Sequence, residues 1–377
     1  MTRSKYLGKW RLASIAVATL LVTVGCGSGG SDSSESTVVN REQVVAEASA
    51  AMKPLEAPPT EFPDLAPLAK LPTGKSLYVL FPEVAVGQQI SKNVALAGET
   101  MGMNVTELNI GSTPESISRA WSQVLQAQPD AVAFGGFPTS LYARQLAEYK
   151  AKGGVFVGNS LGEEGTPDNV DFAVSTNEYA GTDQWTDTAQ WIVADSSGQA
   201  NSVFFYSREY PILLASKDSY VAEMKKCGCP AATEEVALST IGSGLPGEIV
   251  SYLQSHPDVN YVATAFADMN VGVPQALKAA GMADKVKLVS QAGGTLNFEY
   301  IRSGGEAANL PFDMNFIGLR IGDAVARVLA GQDPGREELP TMVITPENIE
   351  TASFAPDGSW LAYPDELAQF KVIWGVS

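Results

Sequence analysis

The sequence is poor in the residues that run metal and acid–base chemistry. Its 377 residues include one histidine, His256, and three cysteines. Metal centres and general acid–base sites lean on these side chains, so the inventory argues against a metalloenzyme and leaves only carboxylate chemistry open. Basic residues are also scarce, with 25 Lys and Arg against 42 Asp and Glu and a formal net charge of −17. Arg3, Lys5, Lys9 and Arg11 lie in a leader expected to be removed, which would make the rest four units more negative still. A nucleic-acid partner needs basic surface to neutralise phosphates and is disfavoured. The apolar run Leu12–Val24 is too short to cross a bilayer. Hydrophobic content of 45% and charged content of 18% allow a sizeable core, and the length suits two domains of ordinary size.

What is present is a repeated α/β pattern. Lys75 to Ile110 opens with the apolar run Leu77–Phe81, then a turn with Pro82, Glu83 and Gly87. A helix-length segment follows, with Val86, Ile90, Val94, Ala97 and Met101 at steps of three and four. Gly102 closes it, and Val105–Ile110 alternates as a second strand. The unit then recurs. Helices are expected at Pro114–Ala127, Leu141–Lys152, from Tyr179 onward, Ile212–Lys226, Glu248–Ser255, Val271–Ala280, Leu296–Ser303 and Phe316–Ala330. Strands are expected at Ala131–Phe134, Val155–Val157, Phe172–Val174, Ser202–Phe205, Glu235–Leu238, Tyr261–Ala265, Lys287–Ser290 and Pro340–Ile344. The fold class is α/β, with two doubly wound parallel-sheet lobes. Ligands in such sheets sit beyond the carboxyl ends of the strands, which makes the loop Phe81–Gly87 the first candidate contact. The tail from Ser353, with Trp360, Tyr363 and Trp374, reads as irregular chain packed on the surface.

The first 25 residues read as a signal peptide: a basic start, then an apolar stretch ending in Thr23-Val24-Gly25-Cys26. Small residues before this cysteine resemble the bacterial lipobox. The resemblance implies lipidation of Cys26, which would become the first residue and hold the chain on the membrane. Residues 26–74 read as a tether and Pro-rich spacer, with a short helix at Glu42–Met52 and the folded part starting near Gly74.

Three local motifs compete for a function. Gly158-Asn159-Ser160-Leu161-Gly162 matches the nucleophile elbow of serine hydrolases. The residues that follow it are poor helix starters, and the sole candidate base, His256, reads as a helix-end residue. Gly242-Ser243-Gly244-Leu245-Pro246-Gly247 matches G-x-G-x-x-G. It lies mid-domain, and Pro246 removes a donor that a pyrophosphate would use, so it reads as a strand-to-helix turn. Cys227-Gly228-Cys229 reads as two surface thiols, free or paired.

Six stretches, in order, carry a wider resemblance over about residues 75–350. They are GKSLYVLFPEVAVGQQ, ISRAWSQVLQAQPDAVAF, VDFAVSTNEYAG, YLQSHPDVNYVATAFADMNVGVPQALKAAG, IGLRIGDAVARVLAGQ and LPTMVITPENI. Together they resemble a type I periplasmic solute-binding protein of the ribose-binding kind. The resemblance implies two lobes joined by three crossover segments near Ser175–Asn177, Phe312–Asn315 and Thr341–Ile344. The lobes would be 75–176 plus 313–340 and 177–312 plus 341–377.

It also implies a small-molecule ligand in the cleft, touching Phe81, Glu83, Phe137, Asn159, Tyr210, Asp268, Gln291, Phe312 and Asp313. The aspartate, arginine and asparagine that sugar-binding members place on hydroxyls are missing at several positions. Asn159-Ser160, Ala267-Asp268 and Gln291-Ala292 stand there instead. A ligand with a larger apolar or aromatic face is expected to suit this set. The implied protein is a monomeric extracytoplasmic lipoprotein of an ABC importer, partnered by a permease. It would have no cofactor, no metal, no nucleic acid and no enzymatic activity. A ligand-sensing lipoprotein reporting to a receptor is the alternative, with a serine hydrolase behind it.

Overall fold

A computed structural model describes residues 40–162, 169–176, 179–336 and 339–377. Cys26 and its leader, Glu163–Asp168 after the elbow motif, and Asn177 of the first expected crossing lie outside the described residues.

Helix α1 (Arg41–Met52) precedes the first sheet. That sheet is built from β1 (Ser76–Phe81), α2 (Ala85–Thr100), β2 (Asn104–Asn109), α3 (Pro114–Ala127), β3 (Ala131–Gly135), α4 (Ala143–Ala151), β4 (Val155–Asn159) and β5 (Phe172–Ala173). All its strands are parallel, in the order β2-β1-β3-β4-β5. The second lobe follows with α5 (Gln184–Asp195), β6 (Ser202–Tyr206), α6 (Ile212–Lys226), β7 (Ala231–Glu235), α7 (Leu245–Ser255), β8 (Tyr261–Thr264), α8 (Val273–Ala279), β9 (Lys287–Gln291), α9 (Thr295–Arg302) and β10 (Ala308–Leu310). Its order, β10-β9-β8-β6-β7, is the same winding read from the other edge. Each sheet therefore has its topological switch beside its first strand, where a crevice forms.

Helix α10 (Met314–Leu329) returns to the first lobe and packs on α2. Two glycines permit that approach. A Cβ at Gly318 would lie 2.5 Å from the Asn93 Cβ, and one at Gly322 would lie 2.4 Å from the Ala97 Cβ. The other face of the sheet is covered by α3 and α4 through Trp121, Tyr142 and Tyr149, all fully buried. Thr113 starts α3 with a reciprocal cap: it accepts from Ser116 N at 3.2 Å while its own N–H donates to Ser116 Oγ.

Four local expectations need correction. β7 lies at Ala231–Glu235, earlier than the Glu235–Leu238 expected, because it is a half-buried edge strand without an apolar run. Residues 340–344 form no strand: Ile344 makes a single antiparallel bridge to Asn309. Met342, Val343 and Ile344 are apolar because the segment is buried, not because it is paired. The tail is not surface chain. It forms the hairpin β11 (Ser353–Phe354) and β12 (Trp360–Leu361) and the helix α11 (Glu366–Trp374), and it buries Trp360, Tyr363 and Trp374. Cys227 and Cys229 are bonded to each other and buried, not exposed thiols.

The stretch before Gly74 is also docked. α1 packs on α5, and Phe62 meets Phe316, Tyr363 and Phe370 at centroid distances of 5.6, 5.0 and 5.3 Å. Among the described residues no helix is long and apolar enough to cross a membrane.

Candidate functional site

A cavity of about 120 Å³ lies between the carboxyl ends of the two sheets. Because β1 and α2 are buried on their apolar sides, their junction delivers Phe81, Pro82, Val84 and Ile90 to its first wall. The turns after β3 and β4 add Gly136, Asn159 and Ser160. The second lobe adds Tyr210, Ile212 and Leu213 after β6, Phe266 after β8 and Gln291 after β9, with Trp185 at the start of α5. Phe312 closes the side at the crossing into α10.

Five of the nine sequence-predicted contacts therefore line one cavity: Phe81, Asn159, Tyr210, Gln291 and Phe312. Phe137 stands one row back, 5.3 Å from the Tyr210 ring, which also meets Phe266 at 6.1 Å. Glu83 is exposed and does not line the cavity. Asp268 reaches from the second lobe to the first, where its carboxylate accepts from Ala85 N, at the start of α2, at 3.2 Å. That is the favourable position for an anion on a helix. Burial nevertheless raises the Asp268 pKa, with the Ala85 N–H opposing.

Asp313 is fully buried and points into the fold. It caps α10 by accepting from Phe316 N at 2.8 Å, and it also accepts from Ala362 N. Burial raises its pKa, and burial followed by the neighbouring Asp313 carboxyl raises that of Glu366.

The polar groups of the cavity are few and neutral. Gln291 Nε2 donates to Gln184 O at 2.5 Å and Thr188 Oγ1 at 2.7 Å, which leaves Oε1 without a partner. The Tyr210 hydroxyl is likewise buried without one, and burial, then Asp268 and Glu209, push its pKa up. Asn159 is committed to the backbone: its Oδ1 accepts from Ser175 N at 3.3 Å. No Lys, Arg or His lines the cavity among the described residues. Buried polar atoms left open in a crevice are what a ligand's hydrogen-bonding groups satisfy.

Trp185, Ile212 and Leu213 were missed by sequence reasoning. Each sits on a helix whose periodicity spells core, and only the tertiary fold turns that face toward the other lobe.

The rival motifs find no support. The Ser160 hydroxyl donates to Ser175 Oγ at 3.1 Å and not to a base. His256 ends α7, which runs back from the cleft toward the start of β8, and its ring is stacked on Tyr252 at 4.1 Å. The Gly242–Gly247 turn borders a groove lined by Glu234, Glu235 and Glu248, which repels phosphate. Among the described residues no group of three or more His, Cys, Asp or Glu could hold a metal ion.

No family model matches the chain, and no curated protein does. Solved structures do. An ABC transporter solute-binding protein from Agrobacterium vitis with bound allitol aligns with a TM-score of 0.65 at 16% identity, over 74% of this chain and 98% of that one. The 5-methylthioribose transporter solute-binding protein of Thermotoga lettingae, in complex with 5-methylthioribose, aligns with a TM-score of 0.65 at 14% identity, over 82% and 95%. A glucose-galactose binding protein from Geobacillus stearothermophilus gives 0.64 at 16% identity, over 73% and 98%. With two parallel lobes of equal winding and a cleft between their switch points, this chain has the fold of the type I periplasmic sugar-binding proteins.

Proposed function

We propose that the protein is an extracytoplasmic solute-binding lipoprotein of an ABC importer. Its solute is a small, neutral molecule with a sugar-like polar edge and an apolar face. The observation that carries this reading is the cleft: aromatic and aliphatic walls from both lobes, two open neutral polar atoms on Tyr210 and Gln291, and no cation among the described residues that line it. An anionic ligand would find no counter-charge there, and a bare pentose would leave the apolar walls poorly covered. Fold neighbours that hold allitol and 5-methylthioribose support the class, and the second of these ligands combines a sugar with an apolar substituent. Ligand would bind by contacting both lobes in their closed arrangement, which is the only way it shifts an open–closed balance.

A thermal-shift comparison of 5-methylthioribose, ribose and ribose 5-phosphate tests the class. The expected order is largest for the first and nil for the phosphate, since a ligand at a hundredfold excess over Kd stabilises by about 2.7 kcal/mol. A largest shift with the phosphate contradicts it. Lipidation at Cys26 would tether the chain beside its permease. Cys26→Ser is then expected to leave the membrane fraction or to remain unprocessed, whereas a processed, membrane-bound mutant rules the anchor out.

A further inference from the structure

We propose that residues 40–73 form a tie between the lobes that limits how far the cleft opens. It rests on the two-lobed fold and not on the identity of any solute.

The segment is fastened at three places. On the second lobe, α1 packs on α5 with Ala48 and Met52 buried, and Arg41 Nε donates to Cys227 O at 3.3 Å. Beside the third passage between the lobes, Val343 N donates to Leu55 O at 2.7 Å, and Asn348 Nδ2 donates to Glu56 O at 2.9 Å. On the first lobe, Phe62 sits among Phe316, Tyr363 and Phe370, and Arg327 Nη2 donates to Ala66 O at 2.6 Å. Leu68 N donates to Ile373 O at 2.8 Å.

The link between the second and third fastenings, Ala57–Glu61, is short and holds Pro58 and Pro59. Five residues span at most about 18 Å, and prolines remove what slack bending would give. In this proposal, a hinge rotation that carries the first-lobe fastening away from the third passage is resisted by this link or strips one of its ends. The lobes are in contact across the cleft through Asp268 and Ala85 N and through Tyr210 and Phe137. A tie of this length favours that closed arrangement even without solute, and it sets how wide the entrance becomes. The tail hairpin makes a second, separate connection: Asp357 accepts from Gln89 of α2 through its carboxylate and from Thr295 of α9 through its carbonyl.

The test gives the link slack while leaving both ends intact. Twelve Gly and Ser residues are inserted between Thr60 and Glu61, both exposed, in the full-length chain and in an Asp357→Ala background. Amide hydrogen exchange is followed without solute. Peptides covering residues 82–90 and 208–214, at the two lips of the cleft, are expected to exchange at least threefold faster than in the matching parent. Residues 131–135, in the sheet core, stay unchanged and report that the lobes are folded. Ala48→Glu, which undocks α1, is expected to speed the same two peptides. Unchanged exchange at both lips in all three proteins, relative to their parents, overturns the proposal.

Discussion

Phe81 ends β1 against the bare backbone of Gly135, where a Cβ would come within 2.4 Å of the ring. Its position is set by the sheet, so removing the ring should empty cavity wall without disturbing the fold. Phe81→Ala is expected to weaken solute binding at least tenfold, about 1.4 kcal/mol. Asp268→Ala should do the same by a different route, since it removes the inter-lobe bond to Ala85 N and not a solute contact. The exposed Asp258→Ala should have no effect in the same calorimetry.

Strand-end loops made Phe81, Tyr210 and Gln291 legible in the sequence, because a parallel sheet always aims them at its crevice. Asp313 was not legible, because an aspartate before a helix suits a cap as well as a ligand. A third residue, Glu306, lies behind the cleft loop. It accepts from Ser290 Oγ and from Asn297 and Asn309, and Asn309 Oδ1 in turn accepts from Gly293 N at 3.0 Å. Burial outweighs these bonds and raises its pKa from 4.5 to about 7. A carboxyl raised on folding favours the protonated native state. Its contribution is full below the unfolded value and fades as pH climbs through 7. Melting of the wild type should therefore fall from pH 5 to pH 8 by more than that of Glu306→Gln. A difference of about 1.5 °C corresponds to roughly 1 kcal/mol at this size, and identical pH profiles would exclude the role.

At the scale of elements, α10 joins the parts that periodicity could not connect. Its amphipathic stripe was readable, as was the strand–helix alternation around it. The docking of α11 and of the stretch before β1 onto it was not. The hairpin strands are two residues long, and prolines break any helical pattern between Met52 and Gly74. What holds them is long-range: aromatic packing of Phe62 on Phe316, Tyr363 and Phe370, and a buried polar cluster. Asp323 is buried and accepts from Arg320 at 3.1 Å, Arg327 at 2.7 Å and Trp374 Nε1 at 2.9 Å. Removing the carboxylate takes away the buried anion that Arg320 and Arg327 share, a loss of about 3–5 kcal/mol. Asp323→Ala is expected to lower the urea midpoint accordingly and to loosen α11. A midpoint within error of the parent would mean that the cluster contributes nothing to stability.

At the scale of the molecule, two lobes with the same strand order face each other across their switch points. Composition and element order were enough to see this, since a repeated βα pattern admits few windings. The closed contact between the lobes was beyond them, because nothing local in a sequence records which residues meet only after two domains fold. The central claim is that a solute is held by both lobes at once. Amide exchange of the full-length chain, with and without saturating solute from the thermal-shift comparison, tests it directly. The account predicts protection of residues 82–90 and 208–214 together, one set from each lobe. Protection confined to one lobe, or appearing away from both lips, would contradict it.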